Sequence, residues 1–358
     1  MRQVFIFVIF LANTILFLFS SASNALETDQ YLVWKSVSVM GGEIKDSADY
    51  INRFLNDGIK NILSKVNSNV NKKGNLEYEC EEVMKKILKY INKRKDFGYN
   101  NSLASTLWKD NSVEKIPQTN FTLFAFNKDS IYKNDLIMLF TPLGPSIRVN
   151  DIYIGLDKLI HMFVEGSLYY KIYADAIKND LSVEDATIHA INKQGIKLER
   201  GVYGYKTSRT FSYGDLEANF QGLLFARRFC EDKVRGDSDT PYLKNNNGKW
   251  ELTREIDIKD YINPYMDESF SNSHYLPSMW NKIKPQLQKV CYLLKSEWVI
   301  KQREYYSKFA KSFSQLYLEK LIKQGDLNDP RSQSIDLVCK EYESENEDNK
   351  YEICKQGK

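Results

Sequence analysis

The sequence predicts a mainly α-helical protein, a helical bundle-like domain with a small β element. Apolar residues recur with helical spacing through most of the 358 residues, and strand-like patterns occupy a short central stretch. The chain is 42% hydrophobic and 27% charged, so it can bury a sizeable core. Its formal net charge is only +3 and no basic block stands out, so we expect no nucleic-acid partner.

Hydropathy and charge divide the chain into four regions. A short apolar leader comes first, and a charged, Asn-rich segment comes last. The regions are a signal peptide, 1–25; an N-terminal helical region, 26–120; a main helical domain with a short β hairpin and a polar helix pair, 121–330; and an acidic C-terminal tail, 331–358.

The first region has the layout of a secretory signal. Arg2 precedes the apolar run Val4–Phe19, and Ser23 and Ala25 are suitable for the −3 and −1 cleavage positions. An uncleaved membrane anchor is the alternative, but the run is short for a hydrocarbon core of about 30 Å. We therefore expect a chain exported to the periplasm, the cell envelope or the medium, with no stable transmembrane segment after cleavage, in a compartment that permits disulfides.

In the N-terminal region, two amphipathic helices are expected. The first begins near Asp46 or Ser47 and is broken by the Asn/Gly-rich stretch 67–75; the second covers roughly 78–93. Residues 94–120 are polar and irregular.

The main domain opens with strand signals and then returns to helix. The strand signals are "FTLFAF", "LIMLF" and "SIRVNDIYI", in which Asn150 and Asp151 can turn a hairpin. A loop-dominated stretch covers 236–275, and a long helical pattern with Pro285 in its first turn continues to Gly325. The expected helices before that loop cover about 156–179, 182–195 and 213–230.

Five cysteines suit an exported chain, but their spacing does not fix their pairing. We favour a bridge between Cys339 and Cys354, because it would close an acidic tail that has almost no core of its own. Cys80 falls on the apolar face of a helix and is expected to be a core thiol. Cys230 and Cys291 could pair. No zinc-type spacing occurs.

The segment "DKLIHMFVEG" places ionisable groups in a helix that is otherwise apolar. At about 100° per residue, Asp157, His161, Glu165, Lys158 and Tyr169 fall within about 120° of one another. Burying an unpaired charge is costly, so these groups must find partners. The simpler alternative is that Asp157 caps the helix while Lys158 and Glu165 reach water along one edge.

A partner helix is available about fifty residues later, in "TSRTFSYGDLEANFQGLLFARR". Asp215, Asn219 and Gly222 lie on one stripe, together with alanines, which permits close helix–helix approach. Arg209 precedes the helix and can fork onto a carboxylate. Ser212 and Asp215 also have capping-box spacing, so a helix cap is the alternative for Asp215. We expect the two stripes to pack on each other and to form a buried set of titrating groups.

These two segments resemble the paired signature of VanZ-like envelope proteins. The resemblance covers only about 157–222, and Met162 stands where that pattern usually has an aromatic residue. It implies envelope association, since that family is membrane-embedded and associated with glycopeptide tolerance. The stretch from "PSIRVNDIYIG" also resembles exported proteins of predatory or host-associated bacteria. The matching positions are Asp157, Lys158, His161, Arg209, Ser212, Asp215, Asn219 and Gly222.

Two functions are compatible with this site. The first is an exported hydrolase or transferase acting on an anionic envelope component, with His161 as general acid or base. The second is a non-catalytic envelope or host-interaction protein whose polar stripe is a structural network. In the enzyme hypothesis the catalytic residues are His161, Glu165, Asp157 and Asp215, and the substrate-binding residues are Lys158, Arg209, Asn219 and Tyr169.

A cofactor is not specified by the sequence, although a divalent metal on Asp157, His161 and Glu165 is a variant of the enzyme hypothesis. The segment "NPYMDESFSNSHYLP" is expected to be a solvated polar loop, or else a loop that completes the site. No Gly-rich phosphate loop and no GxSxG elbow occurs, which argues against nucleotide binding and serine-hydrolase chemistry.

Overall fold

A computed structural model describes residues 27–73, 78–93, 102–117, 130–135, 143–236 and 238–344. The predicted signal peptide, the strand signals "FTLFAF" and "LIMLF" and the second half of the acidic tail, 345–358, lie outside the described residues. Within the described ranges, no helix combines the length and the apolar character needed to cross a membrane.

Helices dominate the described residues, so the predicted mainly α-helical class is confirmed. The α-helices are α1 Tyr31–Met40, α2 Ala48–Lys73, α3 Cys80–Ile91, α4 Ser102–Lys109, α5 Leu156–Ile160, α6 Gly166–Lys178, α7 Val183–Ala190, α8 Lys197–Glu199, α9 Tyr213–Arg227, α10 Glu268–Ser271, α11 Pro277–Gln288, α12 Glu297–Tyr306 and α13 Phe313–Gln324, followed by a helical stretch over 335–344. Wider π turns cover His161–Glu165 and Ile191–Ile196, and 3₁₀ turns cover Ile258–Tyr261, Pro264–Met266, Cys291–Lys295 and Pro330–Gln333.

The β structure consists of three short antiparallel pairs. They are β1 Ser146–Val149 with β2 Ile152–Gly155, β3 Thr210–Ser212 with β6 Ser273–Tyr275, and β4 Leu243–Asn246 with β5 Lys249–Leu252. The first pair is the predicted hairpin: Asn150 and Asp151 have φ values of 55° and 61°, as a tight two-residue hairpin turn requires. Strand β2 leads directly into α5, and β3 leads directly into α9.

The centre of the fold is α9, which packs along α6 and the π turn before it. Every residue of α9 except Leu224 is buried. The close approach depends on two glycines: a methyl group added to Gly166 would lie 2.7 Å from the Gly222 carbonyl carbon. The ring centroids of Phe163 and Phe225 are 5.2 Å apart across the same interface. The small-residue stripe therefore permits the helix contact that the sequence predicts.

Two predicted helix boundaries are wrong. The first amphipathic helix continues through the Asn-rich stretch to Lys73 instead of breaking at 67. The long helix expected up to Gly325 is divided into separate pieces, because Ser296 and Ser312 each accept a hydrogen bond from the backbone N–H three residues later and start a new helix.

The proline positions in this region also differ from the prediction, which has Pro285 in the first turn of the helix. Pro277 occupies the first turn of α11, and Pro285 lies inside that helix.

The cysteine predictions are also corrected. Cys80 is bonded to Cys230 and Cys291 to Cys339, with Cα–Cα distances of 5.9 and 5.4 Å. Cys80 is therefore not a core thiol, and Cys339 is not paired with Cys354, which lies outside the described residues. The two bonds span 150 and 48 residues of chain, and two such disulfides fit an exported protein.

Candidate functional site

A buried ammonium group surrounded by three carboxylates forms the centre of the site. The Nζ atom of Lys158 lies 2.6 Å from Asp157 Oδ2, 2.6 Å from Asp215 Oδ1 and 2.6 Å from Glu268 Oε1. Only 1% of Lys158 is exposed. An ammonium group has three N–H donors, so each of them has a carboxylate acceptor here. We call these four residues together with His161 the Lys158 cluster.

Hydroxyl groups from distant segments fix the carboxylates in place. Thr28 donates to Asp157 Oδ1 at 2.7 Å. Ser212 donates to Glu268 Oε1 at 2.7 Å, and Ser273 donates to Glu268 Oε2 at 3.2 Å. The cluster therefore joins the N-terminal segment, α5, β3 and α10. Charged groups in the interior need such additional hydrogen bonds to offset their loss of water.

His161 is held between Asp215 and Asn219. Its Nε2 atom lies 3.2 Å from Asp215 Oδ2, and its Nδ1 atom lies 3.2 Å from the Asn219 side chain. The Asn219 amide is satisfied when its nitrogen faces the ring, because its two N–H groups then have three acceptors at 3.2 Å, namely Nδ1 and the backbone oxygens of Asp215 and His161. In this orientation Nδ1 is an acceptor and Nε2–H donates to Asp215.

Asp215 belongs both to the capped start of α9 and to the buried polar set, the two alternatives that its sequence position allowed. The Asp215 backbone N–H donates to Ser212 Oγ at 3.0 Å, so Ser212 is the N-cap of α9. The Asp215 carboxylate is free to bond Lys158, because the cap uses only its backbone. Lys158 and Glu165 are both buried and do not reach water along an edge, so the solvated alternative for that stripe is wrong.

Two further buried acids border the Lys158 cluster. Burial raises the pKa of Glu27 well above its ordinary range, and repulsion from Glu268 and Asp215 raises it further. Burial likewise raises the pKa of Glu199, with a further contribution from Asp215. Both carboxyl groups therefore favour the protonated form, which limits the excess of negative charge around Lys158.

Two sets of side chains have the spacing of metal ligands. Ligand atoms of His161, Glu199 and Asp215 lie within 4.8 Å of one another, and so do those of Asp157, Asp215 and Glu268. The Lys158 ammonium group bonds all three members of the second set, so it supplies the cation there. The predicted metal variant on Asp157, His161 and Glu165 differs from both sets, because Glu165 belongs to neither.

The structure does not bring all predicted site residues together. Arg209 does bond a carboxylate, but that of Asp135, which also accepts from Lys282 at 2.8 Å. Arg209 is therefore not part of the buried set in which Asp215 and Asn219 face Lys158 and His161. Glu165 lies one turn beyond His161 and accepts from Gln194 Nε2 at 2.9 Å.

Tyr169 is also apart from the Lys158 ammonium group, although it lies on the predicted stripe. Its buried hydroxyl forms a hydrogen bond with the Asn219 side chain. It also lies so close to Gly195 that no side chain could be accommodated at that position.

Neither Glu268 nor Glu199 is among the predicted site residues, although the sequence left open that the loop carrying Glu268 completes the site. Glu268 comes from the segment "NPYMDESFSNSHYLP", which is not a solvated loop: Asp267 and Glu268 are buried, and the segment completes the site. The sequence signal that could have identified Glu268 is a helix start, because Asp267 caps α10 and Glu268 lies in its first turn. Glu199 has no comparable signal, because it ends a short helix after a π turn.

The buried acids predict that stability falls as pH rises from about 4.5 to 7. Burial raises the pKa of Asp29 to about 6 and of Asp267 to about 7, and it raises those of Glu27 and Glu199 as well. In this window the folded state binds more protons than the unfolded state, so the free energy of unfolding decreases with pH. Urea denaturation at a series of pH values measures this slope.

Asp267→Asn is the matched variant, and it should flatten the slope because it removes one of the titrating acids. His274 acts in the opposite direction, since burial lowers its pKa and its contribution is lost as pH falls. Stability that rises steadily over the whole window would contradict the predicted protonation of these acids.

Solvent has little access to the Lys158 cluster. His161 is 3% exposed, and none of the cluster residues lines the main surface pockets formed by the described chain. The arrangement can hold charge and fix helices; in this conformation it offers no free donor or ring nitrogen to a substrate. No known protein family, curated protein or solved structure matches the chain.

Proposed function

We propose that this chain is an exported, envelope-associated protein that acts by binding rather than by catalysis, and that the Lys158 cluster locks its helices in one arrangement. The observation that carries this proposal is the saturation of the cluster. All three donors of Lys158 and both ring nitrogens of His161 are engaged by protein groups. A catalytic group needs an unoccupied atom within reach of its substrate.

A buried charged network favours one packing over its alternatives, because a shifted helix would leave charges without partners. Here the network ties the segment around Thr28 to α5, α9 and α10. These segments are distant in sequence, and apolar contacts alone tolerate sliding more readily than paired charges do. The Lys158 cluster therefore specifies how the N-terminal segment docks on the helix pair.

Export rests on the signal-like leader, with cleavage after Ala25, and on the two disulfides. The VanZ-like resemblance of the helix pair supports an envelope location. Mass measurement of the protein purified from its own envelope fraction tests this part of the proposal, since the mature chain should begin at Leu26.

His161→Ala distinguishes the proposal that the Lys158 cluster locks the helices, which we call the lock, from the enzyme hypothesis. We expect it to lower the free energy of unfolding by about 2–4 kcal/mol, because Asp215 and Asn219 lose a buried partner. His189→Ala is the matched control: His189 is exposed on α7, so its loss should change stability by less than about 0.5 kcal/mol. Urea denaturation of both variants beside the unmodified protein gives the comparison.

An unchanged unfolding free energy for His161→Ala would contradict the lock and favour the enzyme hypothesis. A divalent metal ion that raises the melting temperature of the unmodified protein, but not that of His161→Ala, would instead assign the site formed with Glu199 and Asp215 as a metal centre.

A further inference from the structure

A second site lies on the other side of α9 from the Lys158 cluster. It is a pocket of about 660 Å³, bounded by α7, α9, the segment around Ile262 and the start of α13. Its volume is within the range of small-molecule sites. Much of its wall is apolar, and the principal apolar residues are Phe220, Leu224, Ile262, Phe309 and Phe313.

Gln221, one of the residues that line the pocket, has a buried polar atom without a partner among the described residues. The side chain of Gln221 is buried, and its Oε1 atom has no hydrogen-bond donor among the described residues. Its Nε2 atom donates to Glu217 Oε1 at 2.8 Å. Reversing the amide would turn its oxygen against that carboxylate, so the orientation is fixed. A buried acceptor without a donor costs about 1–3 kcal/mol, and a ligand N–H or O–H group would satisfy it.

The Glu217 carboxylate that fixes this amide is itself saturated. It also accepts from Asn263 Nδ2 at 2.7 Å, Ser312 Oγ at 2.7 Å and Gln315 Nε2 at 3.3 Å. Asn263 and Ser312 line the pocket as well. The polar part of the wall is therefore built from interlocked side chains, and among them Gln221 Oε1 is a buried acceptor without a donor from the described residues.

Positive charge at the pocket is only partly neutralised. Arg235 and Lys259 line it, and neither side chain forms an ion pair with a described carboxylate. Arg235 lies 5.2 Å over the ring of Tyr261.

The other charged residues that line the pocket have ion-pair partners among the described residues, with the exception of Glu184. Arg227 is bonded to Glu231 and Asp260 to Arg228, which leaves the exposed Glu184 as the remaining acid of the wall. Two unpaired cations against one unpaired acid favour an anionic ligand.

We propose that this pocket binds an amphipathic carboxylate with an acyl or aryl body and one N–H group, the chemistry of an N-acyl amino acid. The apolar wall takes the acyl chain, Gln221 Oε1 accepts the amide N–H, and Arg235 with Lys259 binds the carboxylate. The pocket shares no residue with the Lys158 cluster. The inference therefore goes beyond the proposed function, and its test does not depend on the lock.

Isothermal titration of the oxidised full-length mature chain with N-dodecanoylglycine, below its micelle concentration, tests the proposal. We expect one site per chain. Dodecanoate lacks the N–H group and the methyl ester of N-dodecanoylglycine lacks the charge, so each should bind at least tenfold more weakly. Absence of binding by N-dodecanoylglycine would overturn the proposal, and so would equal affinity for all three probes.

The same titration is repeated with the double substitution Arg235→Gln and Lys259→Gln, which removes two exposed charges. We expect the affinity for N-dodecanoylglycine to fall tenfold or more. The matched control is Lys206→Gln with Lys244→Gln, which removes two exposed charges elsewhere and should leave the affinity unchanged. Leu224→Trp narrows the pocket and should abolish binding. If both double variants weaken binding equally, the effect is one of net charge and the assigned site is wrong.

Discussion

Lys158→Met should lower the free energy of unfolding by about 3–5 kcal/mol, the loss observed when one partner of a buried ion pair is removed. Methionine fills a similar volume, so little of this loss comes from packing. The cause is electrostatic: Asp157, Asp215 and Glu268 would remain buried beside one another without the cation that each contacts at 2.6 Å. Chemical denaturation at neutral pH measures the difference.

Comparison with a partly exposed ion pair identifies the origin of this deficit. Lys284→Met is the matched control, because Lys284 also has a carboxylate partner, Glu341, but both side chains are partly exposed. Its effect should be within about 1 kcal/mol. A deficit for Lys158→Met that is equally small would contradict the lock.

The polar helix pair could be predicted because α-helical geometry relates sequence spacing to position. Asp157, Lys158 and His161 lie within one turn, and Asp215 and Asn219 lie one turn apart on α9, so their facing stripes follow from periodicity. The structure brings these residues within hydrogen-bond distance. The hairpin turn at Asn150 was equally predictable from its residue types.

The positions of the Glu268 and Arg209 side chains could not be predicted from helical spacing. Glu268 lies on a four-residue helix after a 3₁₀ turn, where no periodic pattern links it to α5 or α9. Arg209 precedes α9 with a left-handed backbone, φ 61°, so helical spacing does not define its direction. Its side chain extends to Asp135 instead.

The disulfides could not be predicted for a different reason. A bridge depends on the folded positions of two cysteines, and those positions follow from the packing of segments far apart in the chain. The predicted bridge, from Cys339 to Cys354, closes only a short loop of the tail. The structure instead uses Cys339 to join the last described helical stretch to Cys291, and Cys80 to join α3 to Cys230, just after α9.

Gly222→Ala should destabilise the protein by about 2 kcal/mol although alanine is the better helix former. Helix propensity alone would favour the substitution by about 1 kcal/mol. The added methyl group, however, would lie 2.7 Å from the Met162 carbonyl carbon and 2.9 Å from the Gly166 Cα atom, and closer still to the Met162 carbonyl oxygen. These are backbone atoms, so relief requires α9 to move away from the π turn, at an overpacking cost that exceeds the gain in propensity.

The same movement would separate His161 from Asp215 and Asn219, because those two residues lie on α9 within two turns of Gly222. Gly222→Ala should therefore lose both helix packing and part of the lock, and combining it with His161→Ala should cost less than the sum of the two. Gly236→Ala is the control, since an added methyl group there meets no atom of the described residues within 4 Å, chain neighbours apart, and the backbone is not left-handed. If urea denaturation finds Gly222→Ala as stable as Gly236→Ala, the helices do not approach as closely as this structure has them, and the contact between His161 and Asp215 loses its support.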